Sequence, residues 1–139
     1  MFAKIMVPVD LAHADRLTRA LTVTADMAKQ YGAEVIFVGV STAAPTSVAH
    51  TPEEYAEKLK TFAADQGTKG GFTASSDPIL SHDPSVDLNK ALLKAISDTG
   101  AELVIMASHV PGALDYVLGS HGGHLASHAH CSVLLIREG

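Results

Sequence analysis

Short apolar runs alternate along this chain with longer stretches in which apolar residues return every three or four positions. Lys4 to Val9 is a nearly continuous apolar run closed by Asp10, the pattern of a strand buried on both faces. From about Ala14 to Tyr31, Leu17, Leu21, Thr24 and Ala28 recur at helical spacing, and Gly32 follows where a left-handed C-terminal residue is favoured. One helix is predicted there. Glu34 to Val40, EVIFVGV, is again apolar and β-branched, a second strand after the short connection usual between helix and strand.

STAAPTSVAH then reads as a loop, and Thr51-Pro52-Glu53-Glu54 opens a second helix. Thr51 is placed to cap free amides, Pro52 suits the first helical position, and Glu54 completes a capping box. Tyr55, Leu59 and Phe62 mark its buried face, and the glycines from Gly67 to Gly71 are expected to end it. A weaker strand falls within Phe72 to Ser81, where only Ile79 and Leu80 are strongly apolar. The segment Asp83-Pro84-Ser85-Val86-Asp87 offers several N-caps to a helix carrying Leu88, Leu92 and Ile96 and ending at Gly100. LVIMA is the fourth strand, residues 121 to 129 a short fourth helix, and SVLLIR the fifth strand.

Strands alternating with helices at this spacing predict a doubly wound α/β fold, a parallel sheet with helices on both faces, because each crossover must be right-handed and covered by its helix. Ligands in such sheets collect beyond the carboxyl ends of the strands, where the strand order reverses. With the order 3-2-1-4-5 the crevice lies between strands one and four. It is then lined by Val9 and Asp10 from the first and by Ala107, Ser108 and His109 from the fourth.

Composition narrows the classes of partner. A length of 139 residues with 47% hydrophobic content suits one domain over residues 1–139 with a single sizeable core. A formal charge of −5, with no run of Lys or Arg, argues against nucleic-acid binding. Cys131 is the lone cysteine, which excludes an internal disulfide and a cysteine-based zinc site. The apolar part of MFAKIMVPVD is too short for a signal peptide or a membrane span. A cytoplasmic protein without membrane contact is expected.

Candidate chemistry concentrates in residues 107–123, ASHVPGALDYVLGSHGG. Gly119-Ser120-His121 leads toward the last helix, whose free amides and positive dipole end attract an anion. Ser120 adds a hydroxyl donor, and His121 stands where it would meet a phosphate. Asp10 is a good acceptor for a ribose hydroxyl, while Val9 and Val40 would wall a purine and Pro8 would shape the turn beside it. Met106, like Val110, reaches the same crevice and could instead plug it. The plainer alternative is that Asp10 only caps the first helix and Gly119-Ser120 only starts the last. His121, His124 and His128 share one helical face near His130, which reads more simply as a polar face than as a metal site. No G-x-S-x-G elbow follows a strand, GSHGGH lacks the lysine of a Walker loop, and Cys131 at the entry to an apolar strand reads as a small buried residue. No catalytic residue is assigned.

VPVD at the end of strand one, GAEVIFVGV, GAELVIMASH, then YVLGS and HAHCSVLLIR resemble a single-domain universal stress protein, and are similar to the small bacterial members of the F type. The resemblance implies an adenine nucleotide alpha hydrolase-like, Rossmann-like sheet of order 3-2-1-4-5, dimers formed through the final strand, and ATP in the crevice of many members. Their nucleotide pattern is G-x2-G-x9-G-S/T. Here Ala107 and Val110 stand at the first two glycines, eight residues separate Val110 from Gly119, and Gly119-Ser120 is kept.

The first reading is therefore an adenine-nucleotide-binding stress-response regulator, taking ATP with or without Mg2+ and hydrolysing it slowly at most. Its expected site is Pro8, Val9, Asp10, Val40, Met106, Ala107, Ser108, His109, Gly119, Ser120 and His121. The second is an interaction module of the same fold acting through its oligomeric surface, and the third a small α/β enzyme. An apolar edge strand invites aggregation unless paired, so a homodimer through Ser132 to Arg137 is expected, with a tetramer as the larger alternative.

Overall fold

The computed structural model describes residues 1–108 and 123–138, apart from the Ser85 side chain. The strands are β1 Lys4–Pro8, β2 Glu34–Ser41, β3 Ala74–Leu80, β4 Leu103–Ser108 and β5 Ser132–Arg137. The helices are α1 Thr18–Tyr31, α2 Pro52–Gly70 and α3 Pro84–Thr99, with a 3-10 helix over Leu11–Leu17 and a last helical segment over residues 123–128. The five strands form one sheet of order β3-β2-β1-β4-β5, every neighbouring pair parallel. This is the α/β sheet expected from the alternation of elements.

Strand periodicity sorts the core into two layers. Ile5, Val7, Val35, Phe37, Leu103 and Ile105 point to one face and pack with Ala20 and Ala28 of α1 and Leu59 and Ala63 of α2. Met6, Ile36, Val38, Val104 and Met106, one residue out of step, face the other side with Leu92, Ala95 and Ile96 of α3 and Leu125 of the last segment. All six residues of β4 are buried, which is why LVIMA shows no alternation in the sequence.

One expectation is corrected locally and two are sharpened. The helix anticipated from Ala14 to Tyr31 is two helices, because Leu17 leaves helical geometry at φ −105° and ψ 7° and separates the 3-10 turns from α1. Helix α2 runs through Gly67 to Gly70 and ends at Gly71, the residue with positive φ. Gly67 stays helical because it is a packing glycine: a Cβ there would lie 2.9 Å from the Phe72 carbonyl oxygen and 3.1 Å from the Ala74 Cβ. The weak third strand is ASSDPIL, an edge strand in which Pro78 is tolerated because one side of an edge has no partner to donate to.

The cap of α2 follows the sequence closely. Glu54 N–H donates to Thr51 Oγ1 at 3.1 Å. The Glu54 carboxylate reaches one residue past the cap, accepting His50 N–H at 3.0 Å. That bond, then Lys58, holds the Glu54 carboxyl below the usual carboxylate range.

Candidate functional site at the carboxyl ends of the strands

The sheet's order changes direction at β1, whose neighbours are β2 and β4. With β2 the register runs through five pairs, from Lys4–Glu34 to Pro8–Val38. With β4 it holds only at Ile5–Leu103 and Met6–Val104. Beyond Met6 the two strands part, and a cavity of about 270 Å³ opens between their carboxyl ends.

Its walls come from five segments: Pro8, Val9 and Asp10 after β1, His13, Arg16 and Leu17 from the 3-10 helix, Val38 and Val40 of β2, Pro84, Leu88 and Leu92 of α3, and Met106 and Ala107 of β4. Val9, Leu17, Val38, Leu92, Met106 and Ala107 are buried, so the interior is an apolar slot. Its ionisable lining residues among those described are Asp10, His13 and Arg16. A mostly apolar cavity with a few polar groups in its wall is the usual form of a small-molecule site.

Asp10 is held from two directions. Ala12 N–H donates to its Oδ1 at 3.1 Å, and His13 Nδ1 donates to its Oδ2 at 2.9 Å. The capping role foreseen for Asp10 is real, applied to the 3-10 helix, and it coexists with a place on the crevice wall. A carboxylate offers about four lone-pair directions, so both oxygens can still accept from a ligand.

Tyr55 of α2 lies behind β2. Its ring is buried against Gly39, where a Cβ would overlap the phenol hydroxyl. Burial, and then the negative charge of Asp10, push the phenol up to about 12. Gly39 is thus small because Tyr55 needs the space, and it stands between the crevice residues Val38 and Val40.

Of the residues expected at the site, Pro8, Val9, Asp10, Val40, Met106 and Ala107 line this one crevice. Ser108 is buried, with its carbonyl accepting Glu138 N–H at 3.3 Å, and is not among the lining residues. His109, Gly119, Ser120 and His121 lie outside the described residues, as does Val110. His13, Arg16, Leu17, Val38, Pro84, Leu88 and Leu92 were missed. Val38 was open to inference, since it shares a strand face with Val40 two positions on. Leu17, Leu88 and Leu92 carried the signal of ordinary helix core, and nothing local marks His13 or Arg16 as facing a cavity.

On the last segment the His124 and His128 rings stack at 4.1 Å with 14° between planes, and His128 Nδ1 donates to the His124 carbonyl at 2.9 Å. Among the described residues, no three His, Cys, Asp or Glu side chains are grouped to hold a metal ion. No helix among them is long and apolar enough to cross a membrane.

A parallel 3-2-1-4-5 sheet with its crevice at the β1/β4 switch point defines a nucleotide-fold class of α/β protein. The model of the universal stress protein family matches residues 1–137, and the chain belongs to that family. A universal stress protein in complex with cAMP is similar over 99% of each chain, with TM-score 0.73 and 18% identity. The universal stress protein of Archaeoglobus fulgidus in complex with dAMP gives 0.68 and 18% over 96% of this chain and 97% of that one. A universal stress protein family member from Arabidopsis thaliana with AMP bound gives 0.65 and 16% over 97% and 90%. The likeness in fold therefore extends over nearly the whole length of each.

Proposed function

We propose that this universal stress protein is a regulator that binds an adenine nucleotide in the β1/β4 crevice. The observation that carries the reading is the slot itself, with apolar walls from Val9, Val38, Val40 and Met106 and the doubly held Asp10 beside them. The base lies in the slot, and Asp10 accepts from a ribose hydroxyl. The adenine nucleotides cAMP, dAMP and AMP in three proteins of the same fold support an adenine nucleotide as the ligand.

ATP is the physiological ligand in this reading, with Mg2+ carried on its phosphates. The phosphates extend toward Gly119, Ser120 and His121, and Arg16 supplies a cation on the crevice wall. On the β4 side Met106 and Ala107 line the slot, and the reading extends the site to His109, the residue that follows Ser108 in the sequence. Residues 1–139 act as one unit, and two copies pair through β5. The four residues Val133 to Ile136 are apolar and none is fully buried within one chain.

Calorimetric titration with AMP and with ATP, with and without magnesium, tests the assignment. Micromolar binding is expected, weakened about tenfold by Asp10→Asn, which keeps a capping oxygen but loses the charge of the acceptor. Absence of heat with every adenine nucleotide would overturn it and leave the β5 surface as the seat of function.

A further inference from the structure

We propose that Glu138 is a positioning residue for the crevice, a brace that ties the start of α1 to the end of β4. The proposal rests on the nucleotide reading for its functional consequence, though not for its geometry.

Helix α1 begins without the usual means. Its N-cap is Leu17, which has no side-chain acceptor, and its first turn holds no acidic residue. A helix start leaves several backbone N–H groups free, and buried ones need partners. Glu138 provides them from 118 and 119 residues away: Arg19 N–H donates to its Oε2 at 3.0 Å, and Ala20 N–H to its Oε1 at 2.8 Å. Ala20 is buried, so water is a poor substitute at that amide. A carboxylate on two amides at the positive end of a helix makes charge-assisted bonds in the favourable sense of the dipole.

The same residue is anchored at its backbone. Glu138 N–H donates to the carbonyl of Ser108, the last residue of β4. One residue thus joins two chain segments that each adjoin the crevice. Arg16 and Leu17, directly before α1, line one wall, and Met106 and Ala107, directly before Ser108, line another. The β1–β4 register ends at Met6–Val104, so the brace acts on the splayed end of the sheet where that ladder no longer does. It also follows directly on β5, so the proposed pairing strand and the crevice share a fixed point.

Hydrogen exchange on the ligand-free chain and AMP calorimetry together test the brace. Glu138→Ala is expected to speed exchange at Arg16, Leu17 and Ala107 while leaving Val35 to Phe37 unchanged, and to weaken AMP roughly tenfold, a coupling of ordinary size. A second variant separates bracing from plain helix stability. Adding Thr18→Asp restores a negative charge to the first turn of α1 without rejoining it to Ser108, so the unfolding temperature should recover and the AMP affinity should not. Should Glu138→Ala fail to fold, Glu138→Gln retains one acceptor oxygen and is expected to show the same changes in smaller degree. Recovery of affinity together with stability, or AMP binding unchanged by loss of the carboxylate, would overturn the brace. If the unaltered chain takes neither AMP nor ATP, the nucleotide reading falls, and the exchange result alone decides: faster exchange at Arg16, Leu17 and Ala107 sustains the brace and unchanged exchange removes it.

Discussion

The two edges of the sheet are built on opposite principles. At one, β3 is ASSDPIL, with Pro78 in the strand and Asp77 turned toward α3 beside Lys94 and Asp98. At the other, β5 is SVLLIR, four apolar residues in succession with Leu135 38% exposed. A proline and an inward-facing charge are devices by which edge strands refuse a neighbour, and a bare apolar edge invites one. The contrast supports the proposed pairing through β5 rather than through β3. Asp77 defends its edge at some cost: burial, then the charge of Asp98, push its carboxyl up, with Lys94 opposing.

The largest effect should come from breaking the open edge. Leu135→Arg is expected to halve the mass in solution or to leave the protein insoluble, and an unchanged mass by light scattering would show that β5 is not the pairing strand. A smaller effect lies one strand inside the defended edge, where Gly39 stands opposite Pro78 in the ladder. Gly39→Ala should lower unfolding free energy by roughly 1–3 kcal/mol, the usual cost of overpacking. Tyr55→Phe in the same chain should recover much of the loss, because the added methyl meets the hydroxyl. Failure of that rescue in denaturant titration would place the strain elsewhere.

The smallest effect concerns Asp77. Its folded value is raised, so its contribution is fully present below the unfolded value of about 3.9 and is lost as pH rises through the folded one. Asp77→Asn should therefore be more stable than the parent at pH 7, with the advantage shrinking toward pH 4. A difference in unfolding temperature that stays constant across that range would mean that the carboxyl is not what weakens this edge.

The core strands were legible because their burial is written in residue type. LVIMA and EVIFVGV can lie only where both faces are covered, and the capping box at Thr51 declares itself in four residues. Edge strand β3 was faint for the converse reason: its core contacts fall to Ala74 and Ile79, while Leu80 stays 57% exposed. The crevice was legible in half. Strand ends and a topological rule led to Pro8, Val9, Asp10, Val40, Met106 and Ala107, whereas His13, Arg16 and Leu17 were concealed by the break at Leu17. That break depends on no local helix breaker and was read as one continuous helix.

The sequence by itself determined the alternation of strands and helices, the covering of the sheet on both faces and the family, because hydrophobic period and turn residues act over a few neighbours and leave a local trace. Tertiary structure alone decided where β1 and β4 part, that Gly67 continues a helix while Gly71 ends one, and that α1 is capped by a carboxylate 118 residues away. Each of these depends on contacts between segments distant in sequence, whose free energy is shared between the partners and is visible in neither one read alone.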